Sequence, residues 1–491
     1  MTSTSATGFQ NRMERTPGAP GARDRSAKRP RPYVQIFILF QFACQLALLS
    51  SAFGPLRPVF RVAAFCFSLI MLAIVPGRGR PHPSAIAARC VWAIVALSLL
   101  HPTTNSWLSG VAELAMYVAI LAPVFWVPRL PLDAARLRRI FLILWAFHSI
   151  SAGVGVLQVC YPGKFKMHLS TAIQGRGQDY VNDLYIRTAS GEKVFRPMGL
   201  TDIPGGAASS GFYSALFGVG LLLTERRGIL KALYLASMLL GMVCLYLSQV
   251  RMSMVMLGIC LVTLCCVLVW RGERAKLLVM TLLVPGVLLA SFSLAVAIGG
   301  KTVTRRLETL VKDRPSKVYY KNRGLYLDYT VKKLLPQYPF GAGLGRWGMI
   351  NQYFGDNSDP KRKSIYVEIM WTGWLLDGGV PLIAAYVAAL ALAFITAIRI
   401  TLIRGSDLWL AGALLVAYNV GALAATFVSP FFMAQGGMEL WLLNAALFAA
   451  ARGELQAKSA RRPDTLFNRT GRDPRLGNWR PVQSLAKKNL A

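Results

Sequence analysis

Runs of about twenty apolar residues alternate with short polar segments along most of this chain. A helix that crosses a membrane needs about 20 such residues, with a range of about 17 to 25. Twelve runs are of roughly this length: approximately 33–53, 59–75, 84–101, 107–127, 140–160, 207–224, 232–250, 252–270, 277–299, 380–398, 408–430 and 431–451. The stretch from 232 to 270 is too long for one crossing, so we expect a hairpin that turns near Arg251. The pattern predicts an all-α, polytopic membrane protein with about twelve transmembrane helices.

The composition agrees with this fold class. Of 491 residues, 54% are hydrophobic and 16% are charged, which excludes an ordinary soluble protein. In a soluble protein, a net charge of +33 would suggest nucleic acid as the partner. Here the cations are spread over many loops of a membrane protein. No nucleic-acid partner is therefore expected. We divide the chain into a disordered basic cytoplasmic tail (1–32), a membrane domain (33–451) and a second basic cytoplasmic tail (452–491).

Basic short loops alternate with nearly uncharged ones. Lys and Arg cluster before the first span, in every second short loop after it and after the last span. Cytoplasmic loops carry such an excess, so both termini are predicted to be cytoplasmic. Two long loops, 161–206 and 300–363, then lie on the outer side, and the second outer region continues to residue 379.

The second outer loop is itself basic, with fourteen Lys or Arg against five Asp or Glu. Long translocated loops are largely exempt from the charge rule, so the orientation stands. Two compatible interpretations explain the cations: adhesion to the anionic membrane surface, or a funnel for an anionic lipid-linked substrate. The short apolar segment 365–376 follows, and we expect it to lie in the outer interface or to re-enter the membrane.

Two arginines are the leading candidates for ligand binding. Arg196 lies in the stretch 195–206, which leads from the first outer loop back into the membrane, and Arg251 is the only charge between Lys231 and Arg271. Two arginines at one membrane face can clamp a phosphate-bearing lipid, because guanidinium binds phosphate oxygens bidentately and stays charged. The competing interpretation is a pair of snorkelling arginines at helix ends.

A glycine-rich segment, 339–345, lies in the second outer loop and contains Gly341, Gly343 and Gly345. A nucleotide-binding loop would need a preceding strand and a cytoplasmic βαβ unit, and neither is predicted. The glycines permit positive φ and close backbone approach. We therefore favour a tight turn over direct ligand contact.

Candidates for a general base are carboxylates. Glu368 stands in an apolar segment, where ionisable groups are often functional, and Asp202 follows Arg196 closely. For each, a hydrogen-bonded structural carboxylate is the alternative. No histidine follows His168, which excludes a histidine metal site or a Ser-His-Asp triad in the C-terminal half. His148 is interpreted as a core histidine, and no metal or other cofactor is expected.

Taken together, these motifs resemble the O-antigen polymerase and ligase family, which includes the Wzy-type polymerases. The matching segments, in chain order over about residues 107 to 451, are Phe195-Arg196-Pro197-x-Gly199, Leu247-Ser248-x-x-Arg251-x-Ser253, Arg323-x-x-Tyr326, Pro339-x-Gly341-x-Gly343-x-Gly345, and Tyr366-x-Glu368 followed by Gly373.

The resemblance implies a GT-C-like glycosyltransferase of the bacterial inner membrane that acts on the periplasmic side without a metal. Its donor would be a glycan on undecaprenyl pyrophosphate, which Arg196 and Arg251 would bind. Further partners would be membrane lipids, a chain-length regulator and a flippase. The substrate-binding candidates are Arg323, Tyr326, Gly341, Gly343, Gly345, Lys363 and Tyr366.

The sequence departs from the ligases at one position. Ligases place a histidine just before the Tyr-x-Glu segment, whereas this chain has Lys363-Ser364. A protonated lysine cannot act as a general base, so we favour a polymerase of O-antigen or exopolysaccharide over an O-antigen ligase that transfers glycan to lipid A-core. A transporter or flippase is the less favoured alternative, because the polar residues are concentrated outside and the loop between spans six and seven is short.

The alternation of basic loops predicts an experimental topology. A reporter that is active only in the periplasm, fused near Asn351, should be active, because residues 300–363 are expected outside. The same reporter fused to the C-terminus should be inactive. The reverse pattern would overturn the orientation.

Overall fold

The structure is a computed structural model that describes residues 31–77, 79–165, 182, 184–187, 193–311 and 315–460. Nearly all of the predicted N-terminal tail and most of the predicted C-terminal tail lie outside the described residues. The middle of the predicted outer loop 161–206 lies outside them as well. The predictions for those parts of the chain stay predictions.

The described chain is built almost entirely from helices. In chain order they are α1 (Tyr33–Ala47), α2 (Arg57–Ile74), α3 (Ala85–Ser98), α4 (Trp107–Leu121), α5 (Ala134–Cys160), α6 (Ala207–Thr224), α7 (Gly228–Ser248), α8 (Arg251–Arg271), α9 (Arg274–Gly299), α10 (Lys301–Val311), α11 (315–337), α12 (Gly348–Phe354), α13 (Met370–Leu402), α14 (Trp409–Ala425) and α15 (Gln435–Ala460). Shorter helical turns occupy Ser51–Phe53, Pro123–Trp126, Val127–Arg129, Pro162–Phe165, Pro360–Arg362 and Phe431–Met433. Strands β1 (Tyr185–Arg187) and β2 (Lys193–Phe195) form an antiparallel hairpin that pairs Tyr185 with Phe195.

Eight helices in the described chain are long and apolar enough to cross a membrane: α2, α4 with its extension to Arg129, α5, α6, α7, α8, α9 and α13. The apolar helices α1, α3 and α14 are shorter. Each of the twelve predicted spans overlaps a helix. The all-α, multi-pass membrane class is therefore confirmed, whereas twelve crossings stay a prediction.

Helix α6 is the most buried of the eight and lies against α5 and α7. Facing glycines allow α6 and α7 to approach closely, since a Cβ on Gly211 would lie 2.5 Å from the carbonyl oxygen of Gly241. Small residues commonly bring membrane helices together in this way. By contrast, α9 leaves Leu282 and Leu289 exposed, as expected of a helix at the lipid-facing edge.

The connections gather at two ends of the bundle. At one end, helix ends contact the short connections: Arg138 of α5 pairs with Glu225 at 2.5 Å, and Ser406 donates to Glu454 of α15 at 2.7 Å. At the other end, Asn105 donates to the carbonyl of Asp356 at 2.6 Å. Loops predicted to share a membrane side therefore lie together, and the side on which each end lies stays a prediction.

Much of the predicted outer loop 300–363 is helical. Within α11, the backbone forms π-turns at Tyr320–Gly324 and at Thr330–Leu334. Such turns are rare and often occur at functional sites. The predicted segment 365–376 contributes the start of α13, which is broken at Gly379, with φ 67° and ψ −157°. Most residues of α13 before this break are buried within the bundle.

The glycine-rich segment packs against this break and against the loop between α3 and α4. Gly343 has a φ of 84°, and a Cβ there would lie 2.5 Å from the backbone nitrogen of Thr104. Gly345 has a φ of 74° and would clash with Ser109. The segment therefore needs glycine both for its backbone conformation and for close packing.

A pair of substitutions separates these two requirements. Gly343→Ala should lower the free energy of unfolding by the cost of positive φ, about 1–2 kcal/mol, plus about 1–3 kcal/mol for overpacking. Gly348→Ala, with a φ of 64° but open space around its Cβ, should show only the conformational cost. Denaturation of the detergent-solubilised proteins measures both. Equal losses would show that close packing at Gly343 contributes nothing.

Candidate functional site

The stretch 196–206 folds back into the bundle between β2 and α6 and is held there by α5. The side chain of Gln158 accepts from the backbone nitrogens of Met198 and Gly199 at 2.9 and 3.0 Å. It also donates to the carbonyl of Gly199 at 3.1 Å. One side chain therefore satisfies three backbone groups of a non-helical segment and fixes the residues that follow Arg196.

Three arginines from three separate segments line one cavity of about 590 Å³, which we call the arginine cavity. Arg196 follows β2, Arg251 begins α8, and Arg323 belongs to the first π-turn of α11. The predicted pair, Arg196 and Arg251, therefore lies at the same cavity, together with an arginine that was predicted to bind substrate. Three cations at one concave surface attract anions.

The other walls of the arginine cavity are mainly apolar. They are formed largely by Val250, Met252, Val255, Met256, Ile259, Val318, Ala424, Ala425 and Val428. Cations beside a continuous apolar surface suit a ligand that joins an anionic head to a hydrocarbon chain. A small hydrophilic anion would leave most of this surface unused.

The turn between α7 and α8 shapes the cavity. Gln249 is buried and has a φ of 55°, the single positive φ at a non-glycine residue of the described chain. Such strain is commonly retained at functional sites. Arg251 is the first residue of α8, and no side chain caps that helix. Because a helix N-terminus carries partial positive charge, an anion here would be attracted by both the helix and the arginine.

Gly205 allows the approach of Arg196 to this turn. Its φ is 72°, and a Cβ at this position would lie 3.0 Å from Arg196 Nη2 and 3.2 Å from a methyl group of Val250. The guanidinium group therefore lies between the start of α6 and the turn that precedes Arg251.

Four predicted residues form a second group beside the cavity. Arg323 Nη1 pairs with Glu368 Oε2 at 2.7 Å, and Arg323 Nε donates to the carbonyl of Val428 at 3.1 Å. Tyr366 donates its hydroxyl to the other oxygen of Glu368. The rings of Tyr326 and Tyr366 lie 5.8 Å apart. Glu368 therefore reaches the arginine cavity through Arg323 and is not among its lining residues.

Asp202, the second candidate base, has different partners. Its carboxylate is paired with both Arg57 and Arg61 at the start of α2. Asp202 does not line the arginine cavity. Two guanidinium partners occupy lone pairs of this carboxylate that a base would need. This geometry favours the structural interpretation of Asp202.

The remaining predicted residues lie elsewhere at this end. Gly341, Gly343 and Gly345 contact protein backbone or Ser109, as a tight turn requires. Lys363 is exposed, and its carbonyl accepts from Nε and Nη2 of Arg346 at 3.2 Å. None of the four lines the arginine cavity.

A buried polar network under the glycine-rich segment was not predicted. Asp377 accepts from the hydroxyl of Tyr117 and from the indole of Trp347, each at 2.7 Å. Glu113 accepts from the backbone nitrogen of Gly345. One feature of the sequence could have indicated this network: Glu113 is the only charge in the apolar run 107–127, and charged residues within membrane spans are often functional. The network anchors the glycine-rich segment to α4 and α13.

No protein-family model matches the chain, and no curated protein matches it significantly.

The two candidate carboxylates should differ in their effect on stability. Asp202→Asn leaves two arginines without their carboxylate, and the Arg57–Asp202 pair is only 5% and 3% exposed. We expect it to lower the free energy of unfolding by about 3–5 kcal/mol. Glu368→Gln breaks a pair that is 33% and 20% exposed and should cost about 1 kcal/mol or less. Denaturation of both variants measures this, and equal losses would contradict the structural role of Asp202.

Proposed function

We propose that this protein is a membrane glycosyltransferase that polymerises undecaprenyl-pyrophosphate-linked oligosaccharide repeat units into O-antigen or exopolysaccharide. The observation that carries the proposal is the convergence of Arg196, Arg251 and Arg323 on one cavity with otherwise mainly apolar walls. The resemblance of the motifs around these arginines to the polymerase and ligase family points to the same ligand.

The cavity suits the pyrophosphate and the isoprenoid of such a donor. The guanidinium groups can bind the phosphate oxygens bidentately. The isoprenoid chain can lie along the apolar residues of α8 and α14, among them Val255, Ile259 and Ala424. A lipid could thus enter from the bilayer with its head group at the arginines.

In the proposed reaction, a hydroxyl oxygen of one lipid-linked glycan attacks the anomeric carbon of another. The bond between that carbon and the phosphate oxygen breaks, and the electron pair leaves with undecaprenyl pyrophosphate. The arginines stabilise the charge that develops on this leaving group. Glu368, which is ion-paired with Arg323 before substrate binds, is our candidate to accept the hydroxyl proton.

The proposal includes the cellular setting that the sequence predicts. It places the enzyme in the bacterial inner membrane with about twelve crossings, a GT-C-like fold and both termini in the cytoplasm. The arginine cavity would open to the periplasmic side, where lipid-linked repeat units are joined.

The arginine cavity is tested by substitution. Losing a phosphate contact worth about 2–4 kcal/mol in the transition state slows turnover by about 30- to 1000-fold. Arg196→Ala and Arg251→Ala should each show this loss with purified lipid-linked repeat units. Arg196→Lys and Arg251→Lys should recover little, because lysine lacks the bidentate fork.

The matched control is Arg61→Lys, which keeps a cation for Asp202 at the same end of the bundle and does not line the arginine cavity. Its turnover should match that of the wild type. Wild-type turnover by both alanine variants would refute the proposed role of the arginines.

A further inference from the structure

A second cavity, of about 400 Å³, adjoins the arginine cavity, and Arg196, Val250, Met252 and Met256 line both. We call it the polar cavity, because many polar side chains line it, among them Gln45, His148, Ser210, Tyr213, Gln435 and Glu439. These residues come from α1, α5, α6 and α15. The two adjoining cavities differ in the types of side chain that line them, which points to a ligand with two unlike parts.

His148 is the first observation that points to a ligand. The residue is 5% exposed, and neither ring nitrogen has a hydrogen-bond partner among the described residues. Its ring stacks on Tyr213 with centroids 4.5 Å apart. A neutral imidazole carries one donor and one acceptor, and burying both without partners is costly. Both nitrogens are covered in this structure, so a ligand hydroxyl bonds one of them once the surrounding side chains move aside.

Glu439 is the second observation that points to a ligand. It is also 5% exposed, and it accepts from Gln435 Nε2 at 3.0 Å. Gln435 in turn accepts from Gln45 Nε2, while Gln45 Oε1 has no partner among the described residues. Gln45, Gln435 and Glu439 therefore form a hydrogen-bonded chain of polar groups along the polar cavity.

We propose that the polar cavity binds the hydroxyl groups of the sugar that is joined to the pyrophosphate. This inference rests on the proposed function and assigns His148 and Glu439 to sugar binding. Because Arg196 lines both cavities, a pyrophosphate bound there would direct the isoprenoid along the apolar walls and the sugar into the polar cavity. A sugar hydroxyl both donates and accepts, which matches the mixed lining.

Binding to the full-length protein in nanodiscs tests the inference. The two probes are undecaprenyl pyrophosphate and the lipid-linked repeat units extracted from the producing cells. The wild type should bind the sugar-bearing probe at least about tenfold more tightly, as hydrogen bonds to buried polar groups allow. His148→Phe keeps the aromatic stacking but should lose most of this preference, while its affinity for undecaprenyl pyrophosphate stays within about twofold of the wild type.

His82→Phe is the matched control. His82 is also buried and also packs against an aromatic ring, that of Phe448 at 5.1 Å. It lines neither cavity, so the preference should be unchanged. Glu439→Gln, which keeps the side-chain shape, should also reduce the preference. If His148→Phe does not fold, the Glu439→Gln variant alone tests whether the polar cavity binds the sugar.

The two proposals fail in different ways. If the wild type does not bind undecaprenyl pyrophosphate, the proposed function is wrong and the sugar site falls with it. If the wild type binds both probes equally, or if folded His148→Phe and Glu439→Gln keep the full preference, the polar cavity holds only water. The proposed binding of pyrophosphate at the arginine cavity would remain.

Discussion

A non-helical segment inside a bundle of apolar helices must find partners for its backbone within the protein, because lipid offers none. The stretch 196–206 meets this constraint through Gln158 and Ser151 of α5, which bond the backbone of Met198, Gly199 and Leu200. The rest of the site depends on this attachment. The attachment fixes the backbone next to Arg196. It also fixes the residues that lead into α6, the most buried of the membrane-spanning helices.

The same end of the bundle concentrates backbone conformations that are otherwise rare. The left-handed Gln249 precedes Arg251, a π-turn carries Arg323, and Gly205 at a φ of 72° lies against Arg196. Each unusual conformation is next to one of the three arginines. Strain of this kind persists only where the surrounding packing determines the backbone. The helices of the bundle thus hold three arginines at one cavity.

The sequence predicted the fold correctly where one local pattern of apolar residues defines a helix. The predicted span 207–224 coincides with α6, and the break at Gly379 falls between the predicted segment 365–376 and the predicted span 380–398. Helices in 300–363 were missed, because that segment is highly charged and has no membrane-length apolar run. The pairing of Asp202 with Arg57 could not be predicted, since it joins residues 145 apart in sequence. For the same reason, nothing local indicated that His148 would line a polar cavity.

The two kinds of ion pair at this end suit different tasks. The side chains of Arg57 and Asp202 are only 5% and 3% exposed. Breaking such a pair leaves a buried charge without its partner, which is strongly unfavourable. Arg323 and Glu368 are both partly exposed, and pairs of that kind contribute about 0–1 kcal/mol. Arg323 can therefore exchange its carboxylate partner for a phosphate at little cost. A strong pair would hold the arginine away from an incoming anion. In the proposed function, the weakness of this contact leaves Arg323 free to bind the phosphate.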